Sequence, residues 1–394
     1  MAWKHRQLSP IGVDIGAGTV RLLQVAASGA HIAVVAAAQA PAAPGPIEPS
    51  EVVSANAEVI RRLLADGGFR GRRVVLATPP SATRVKNLRL PCMPAEELGE
   101  AVRFEAVERF QSLGKEPEIR YFNAGKVSGA QGEQFELVVI GVAGEVIRAQ
   151  LDAVSRLGLE CAGLDIAPRA AFGPFERFLR REEDAERVHA FLDIGYAGSR
   201  MVLTRGPRVA FIRLFHVGVV HFHRAVEQAL GVDAAEAVTL YDMIVDGAVP
   251  AGSDGPAVPE AQAGPDAGAG PGAADVGERA AVVDAIGPVL EQLGKEAGLC
   301  MRYFAVTFRG ARSASLTCVG GGARSGVLRD RLAASTGTVT RLGHPLRKIS
   351  ADAVFPGSDR RAGLPEWATA VGLAIKGFAA VDGAPQPARE AVAT

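Results

Sequence analysis

Two stretches in different halves of the chain share one pattern. "IGVDIGAGTV" (Ile11–Val20) and "AFLDIGYAGSRM" (Ala190–Met201) both run an apolar strand into Asp-x-Gly, then a turn of small residues and a second strand. A single copy has two readings. One is mechanical, a tight turn that needs glycine and whose aspartate caps it. The other is chemical, a phosphate against the turn's backbone N–H groups with the carboxylate facing a metal ion. Two copies at corresponding places are much harder to assign to chance than one. They imply two related lobes that face each other.

The bulk properties set limits around that pattern. At 394 residues the chain has room for two lobes, each with its own core, and 48% hydrophobic content is that of a globular protein. Lys plus Arg and Asp plus Glu balance at 43 each, which leaves no global electrostatic case for binding nucleic acid. Cys92, Cys161, Cys300 and Cys318 are too dispersed for a metal cage or a disulfide framework. The apolar run "VVAAAQAPAAP" (Val34–Pro44) is too short to span a bilayer and is broken by Gln39 and prolines. The expectation is a cytoplasmic protein that meets a membrane only through partners.

The first lobe opens as a β-meander over residues 11–40. A helix is expected in "PSEVVSANAEVIRRLLADGGF", capped by Ser50 and stopped by glycine, followed by the buried strand "RRVVLATPP". "TRVKNLRLP" reads as an exposed strand. "PAEELGEAVRFEAVERF" is an amphipathic helix with Leu98, Val102, Ala106 and Phe110 on its apolar face. The strand "QFELVVIGVA", the helix "EVIRAQLDAVSRLGL" and the strand "ECAGLDI" complete an expected strand–helix–strand–helix–strand unit over residues 84–165. The expected organisation is therefore 1–83 as the first part of lobe one, 84–165 as an inserted subdomain, and 166–192 as a return helix. Residues 193–378 form lobe two and 379–394 a disordered tail. Within lobe two, residues 246–277 are a Gly/Ala/Pro-rich insertion expected to be disordered, with a long helix from about Glu278 to Arg302 after it.

These motifs, in this order, resemble the actin-like ATPase superfamily, and within it the PilM family of type IV pilus assembly proteins, which is related to FtsA. "DIGAGTV" and "DIGYAGSRM" match its two phosphate hairpins, "VGGGARSGVL" (Val319–Leu328) its adenosine motif, and "ATAVGLAIKG" its final helix. The segment "LRLPCMPAEELGEAVRFEAVERF" resembles the extra subdomain of PilM and FtsA. The resemblance implies an α/β, actin-like two-lobed ATPase fold with duplicated mixed sheets and that inserted subdomain. It implies ATP between the lobes, held by Asp14, Gly16, Gly18 and Thr19 of the first hairpin and by Asp193, Gly195, Gly198 and Ser199 of the second. Gly218, Glu236, Gly320, Gly321, Gly322 and Arg324 would complete the pocket. Asp14 and Asp193 would hold Mg²⁺ through its waters. The three glycines would leave room for adenine and ribose, with a helix N-terminus after them adding positive charge. The implied partner is the cytoplasmic N-terminal peptide of a PilN-like inner-membrane protein, in a groove lined by Leu88, Leu90 and Val102. Pilus motor and platform proteins, and self-association, are implied as well, at the inner-membrane face of a pilus or a related type II secretion system.

Some residues depart from the family pattern. The ribose-contacting helix "AEAVT" keeps Glu236 but has Thr239 where lysine is usual, and Gly218-Val219 stands where a double glycine is frequent. The helix "IAPRAAFGPFERFL" has Arg169 as the only polar side chain in its first turns, so nothing there orients an attacking water. Binding with slow or absent hydrolysis fits these losses. An FtsA-like division filament is the alternative, but "APQPAREAVAT" is too polar for the amphipathic tail such proteins carry. A small-molecule kinase is another, but no acceptor-site carboxylate follows a kinase signature. His216, His221 and His223 lack a third ligand and read as ordinary polar side chains, with strand alternation placing the last two on one face.

Overall fold

Both lobes are built on the same five-strand order, and in each the Asp-x-Gly turn joins its central strand to a neighbour. The computed structural model describes residues 7–29, 31–114, 116–129, 132–179, 181–246, 273–310, 312–355 and 363–381. In lobe one the chain runs β1 (Gln7–Leu8), β2 (Ile11–Ile15), β3 (Thr19–Ser28), β4 (His31–Pro41), α1 (Val52–Ala55), α2 (Ala57–Asp66) and β5 (Arg73–Thr78). An inserted unit follows, with β6 (Thr83–Pro91), α3 (Ala95–Arg109), β7 (Pro117–Gly129) and β8 (Gly132–Ala143). The first lobe resumes with α4 (Gly144–Arg156), β9 (Glu160–Ile166) and α5 (Ala167–Glu176). Lobe two contains β10 (Val188–Ile194), β11 (Ser199–Arg205), β12 (Arg208–Phe215), α6 (Val219–Leu230), α7 (Ala234–Asp246) and α8 (Ala273–Thr307). Its last elements are β13 (Ser315–Val319), α9 (Gly326–Thr336) and β14 (Val339–Leu342), and α10 (Ala368–Val381) returns to lobe one.

The first sheet has the order β4-β3-β2-β5-β9, with β1 also pairing β3; the second has β12-β11-β10-β13-β14. In each, three antiparallel strands are followed by two parallel ones. Parallel strands need helical crossovers and bury both faces, which is why β2, β5, β10 and β13 are nearly continuous apolar runs. Ile11, Val13, Leu22, Val74 and Leu76 fill one core; Leu192, Ile194, Met201, Leu316 and Cys318 fill the other. Fully burying a side chain of this size stabilises by about 1.5–3 kcal/mol.

The lobes meet at two helices that approach backbone to backbone. A β-carbon on Gly372 of α10 would sit 1.8 Å from the Ala170 carbonyl oxygen of α5, and one on Gly12 of β2 would sit 2.3 Å from the Ala370 carbonyl oxygen. Any side chain at these places would separate the elements. Ala170 and Leu373 pack against Val75 of the first sheet, while Ala171 and Ala368 pack against Val319 of the second.

Strand pairing moves one expected boundary. β9 pairs with β5 in the first sheet, and α4 places Ala153 and Val154 in that lobe's core. Residues 144–165 therefore belong to lobe one. The insertion is the three-stranded sheet β6-β8-β7 with α3 on it, including β7, a strand absent from the sequence reading. β6 is also less exposed than expected, because Leu88 and Leu90 point into the core beneath α3. Ser50 does not cap a single helix: it lies in a 3-10 turn over Pro49–Glu51. Asn56 then separates α1 from α2, donating through Nδ2 to the Val52 carbonyl and accepting from the Ala43 N–H. α8 begins at Ala273, so part of the expected 246–277 disorder is helix. Residues 247–272 and the tail from 382 lie outside the described residues.

Two glycine substitutions should have opposite effects. Gly372→Ala should destabilise by at least about 2 kcal/mol through overpacking at the helix crossing. Gly99→Ala in α3, where a β-carbon would meet nothing within 4 Å, should stabilise by about 0.5–1 kcal/mol. Urea midpoints of the two variants check the pair; equal effects would contradict this account of the crossing.

Candidate functional site

Each turn is closed by the same bond. The Gly16 N–H donates to the Thr19 carbonyl (3.0 Å), and the Gly195 N–H donates to the Gly198 carbonyl (3.1 Å). The two tips touch, since a β-carbon on Gly18 would lie 3.0 Å from Cγ of Tyr196. The lack of a side chain at Gly18 is what lets the Tyr196 ring lie across the first turn. Asp14 and Asp193 are close enough to repel each other electrostatically.

Behind the second turn, backbone packs on backbone. A β-carbon on Gly198 would come 2.6 Å from the Phe215 carbonyl, and one on Gly218 would come 2.5 Å from the Gly198 nitrogen. The first N–H groups of α6 are already used: Val219 donates to the Gly195 carbonyl and Val220 to that of Tyr196, each at 3.0 Å. Ser199 is buried and donates to the Val217 carbonyl (2.6 Å). Gly195, Gly198, Ser199 and Gly218 therefore build the turn, with the ligand-facing surface left to the tip.

The glycine loop after β13 divides the same way. Gly320 has φ +83°, and a β-carbon there would be 2.3 Å from Asp193 Oδ1; one on Gly322 would be 2.4 Å from Ile194 Cγ2. Gly321 alone of the three faces open space. The expected helix N-terminus also lies later. A 3-10 turn covers Gly321–Arg324, and α9 starts at Gly326 with Ser325 as its cap, accepting from the Leu328 N–H. Arg324 and Glu236 are exposed, Glu236 in the first turn of α7, which Asp233 Oδ1 caps by accepting the Glu236 N–H (2.8 Å).

The charges differ most from expectation. Arg200 stands directly across the hairpin from Asp193, and its Nη1 lies 2.5 Å from Asp193 Oδ2. Their side chains are 18% and 8% exposed. The other carboxylate oxygen, Oδ1, lies against Gly320. Asp193 is thus tied through Oδ2 to a cation of its own hairpin, a partner that the expected role of the Asp14–Asp193 pair did not include. Asp14 has Arg21 in the same cross-strand position. Burial pushes the Asp14 carboxyl up from 3.8 to about 6, against the pull of Arg21 and Arg200 and with help from Asp193. The spacing Asp-x-Gly-x4-Arg occurs in both hairpins and is visible in the sequence, yet only the register reveals its meaning.

Other sequence-predicted residues fall elsewhere. Leu88 (5% exposed), Leu90 (8%) and Val102 (1%) fill the core of the inserted unit and do not line a groove; strand and helix periodicity put them between the sheet and α3. The exposed apolar residues of α3 are Phe104 and Val107, at 81% and 70%. Arg169 is ion-paired with Glu176 at 3.0 Å. His221 and His223 lie on helix α6, not on a strand: His221 Nδ1 accepts the Gly218 N–H, and His223 packs edge-on to Tyr241 with centroids 5.0 Å apart. Burial holds the His223 pKa below its ordinary value, and its Nε2 and the Tyr241 hydroxyl have no hydrogen-bond partner. Among the described residues no three His, Cys, Asp or Glu side chains group as a metal site, and no helix is long and apolar enough to cross a membrane.

With this geometry in hand, comparison with known proteins is direct. No protein-family model matches the sequence, and no curated protein matches it either. A solved structure of a PilM–PilN type IV pilus biogenesis complex is similar with a TM-score of 0.73 and 25% identity, over 94% of this chain and 98% of that one. The ethanolamine utilization protein EutJ from Carboxydothermus hydrogenoformans shares the fold with a TM-score of 0.53 and 13% identity, over 94% of this chain and 89% of that one. The chain has the actin-like α/β fold, and the resemblance to PilM read from its motifs holds across nearly its whole length.

The Asp14 carboxyl gives a pH test. Its folded value lies above its unfolded one, so the unfolded state loses this proton first as pH rises. Stability is therefore lost between about pH 4 and pH 6, and above that Asp14 costs the fold on the order of 1–3 kcal/mol. Asp14→Asn should raise the denaturation midpoint at pH 8 and leave it unchanged near pH 4. An equal effect at both pH values would contradict the burial account.

Proposed function

We propose that the chain is a PilM-like nucleotide-binding scaffold, working at the cytoplasmic face of an inner-membrane platform that assembles a type IV pilus or a related type II secretion system. The observation that carries this reading is the likeness to PilM in its complex with PilN, which extends through both lobes and the inserted unit. ATP lies in the cleft between the lobes beside the meeting point of the two hairpins, its phosphates facing the turns at Gly16–Thr19 and Gly195–Gly198, and its adenosine over Gly321. Hydrolysis is slow or absent. Arg169 is engaged by Glu176, and Thr239 donates to the Ala235 carbonyl where a lysine would reach the ligand. A fast reaction needs its water and phosphate positioned, and both of these side chains are engaged within the protein instead.

The partner is the cytoplasmic N-terminal peptide of a PilN-like membrane protein, through which the chain reaches the membrane and the pilus motor. The surface it meets on the inserted unit is the outer side of α3. Phe104 and Val107 lie one helical turn apart there and present apolar area to solvent. An amphipathic or extended peptide gains its affinity from a few such anchors.

Gly321→Leu tests the nucleotide site without disturbing the fold, because a β-carbon there meets nothing within 4 Å. Affinity for a fluorescent ATP analogue should fall by about tenfold or more with the melting temperature unchanged, and wild-type turnover should stay below about 1 per second. Undiminished affinity would place the adenosine elsewhere.

For the partner, Phe104→Asp with Val107→Asp should abolish capture of the PilN-like N-terminal peptide, while Arg103→Glu should leave most of it. Both variants should melt like wild type, whereas Leu90→Asp should unfold the inserted unit. Capture that survives the double substitution would rule out this face.

A further inference from the structure

The loop after β14 carries the chain from lobe two back to lobe one, where Ser350 bonds to the Ile32 carbonyl and the Val34 N–H of β4. On its way it meets Phe178, just past the C-terminal end of α5. Three cations stand over that one ring: the Arg177 guanidinium carbon lies 4.8 Å from the centroid, that of Arg347 5.1 Å and the Lys348 Nζ 5.8 Å. Among the described residues no carboxylate is ion-paired with any of the three. The charges are also fixed in place. Arg177 donates to the Arg347 carbonyl, Lys348 is held at φ +58°, and Ile349 beside it is buried with Val371 of α10. A side chain at positive φ is uncommon and persists where its surroundings determine it.

Charges this close repel one another. Salt at about 0.1 M, with a Debye length of about 10 Å, does not fully screen them. The ring's negative face and the C-terminal end of the α5 dipole, about half a charge, offset three full charges only in part. Burial also pulls the Arg177 pKa below its ordinary value. A preformed positive surface without a counter-charge of its own suits an anionic partner. The whole chain is neutral, with 43 basic and 43 acidic residues, so the patch is local and gives the molecule an orientation. Arg347 and Lys348 are exposed, while Arg177 and Phe178 are half-buried, which suits a broad charged surface more than a small ion in need of enclosure. A flexible acidic peptide would lose chain entropy on so small a patch, whereas the phosphates of an anionic leaflet already lie side by side.

We propose that Arg177, Arg347 and Lys348 form a docking surface for anionic phospholipid headgroups, a direct membrane contact beside the one made through the partner peptide. It rests on the membrane placement proposed above. Each Lys or Arg near an anionic leaflet strengthens association roughly fivefold, so three give about a hundredfold. That is far weaker than a membrane-spanning helix, and enough to set which side of a peptide-held scaffold faces the bilayer.

Co-sedimentation of the full chain, without partner peptide, tests this with vesicles of phosphatidylcholine alone or of equal parts phosphatidylcholine and phosphatidylglycerol. Partition into the anionic vesicles should exceed that into neutral ones by about tenfold or more. It should vanish at about 1 M salt, where the Debye length is about 3 Å. Arg347→Gln with Lys348→Gln should lower it by about tenfold or more with the melting temperature unchanged. Arg61→Gln with Arg62→Gln, which removes two exposed charges of α2, should leave it as in wild type. Equal partition into the two kinds of vesicle, or equal loss in the two variants, would overturn the inference. The Arg347 and Lys348 double variant should still capture the PilN-like peptide, so failure on vesicles with capture intact leaves the scaffold reading standing. Capture lost in that variant would assign the cluster to the peptide and overturn the lipid assignment.

Discussion

Everything in the cleft depends on the direct backbone contact between α5 and α10. Gly372 against Ala170 and Gly12 against Ala370 bring the helices and β2 closer than side chains would permit. The same two helices then touch both sheets, through Val75 on one side and Val319 on the other. Two sheets of identical strand order are thereby set with the ends of β2 and β10 pointing at a common space. Interiors this dense transmit small displacements, so this contact is where a lobe movement would register first. The meeting of Gly18 with Tyr196 follows from that geometry.

Around the meeting point the charges are arranged in pairs across the hairpins. Asp14 and Asp193 repel, and Arg21 and Arg200 offset them from the second strand of each hairpin. The cleft therefore presents guanidinium groups as well as carboxylates beside the two turns.

Much of this was legible in the sequence because the signals were local. The Asp-x-Gly turns, the strand alternation around them and the helical spacing of Leu98, Val102, Ala106 and Phe110 all report nearby geometry. Local signals cannot say which distant element a strand joins. β9 looked like part of the insertion because its parallel pairing with β5 spans that insertion. β7 was missed since "PEIRYFNAGKVSG" mixes charged and polar residues along an edge strand, with a register shift between Asn123 and Gly125. Leu88, Leu90 and Val102 do not line the expected groove, because an apolar set at regular spacing marks a core, and the exposed Phe104 and Val107 fall off that stripe. Arg200 was in plain view, and only the pairing register could show that it faces Asp193.

The central claim is that both hairpins close on one ligand. Hydrogen–deuterium exchange of the full chain with and without ATP tests it most directly, because opening of each turn is read independently. The account predicts slower exchange at once in residues 14–21, 193–200 and 320–325, with the α3 surface unchanged until the partner peptide is added. Protection confined to one hairpin, or none in either, would contradict it.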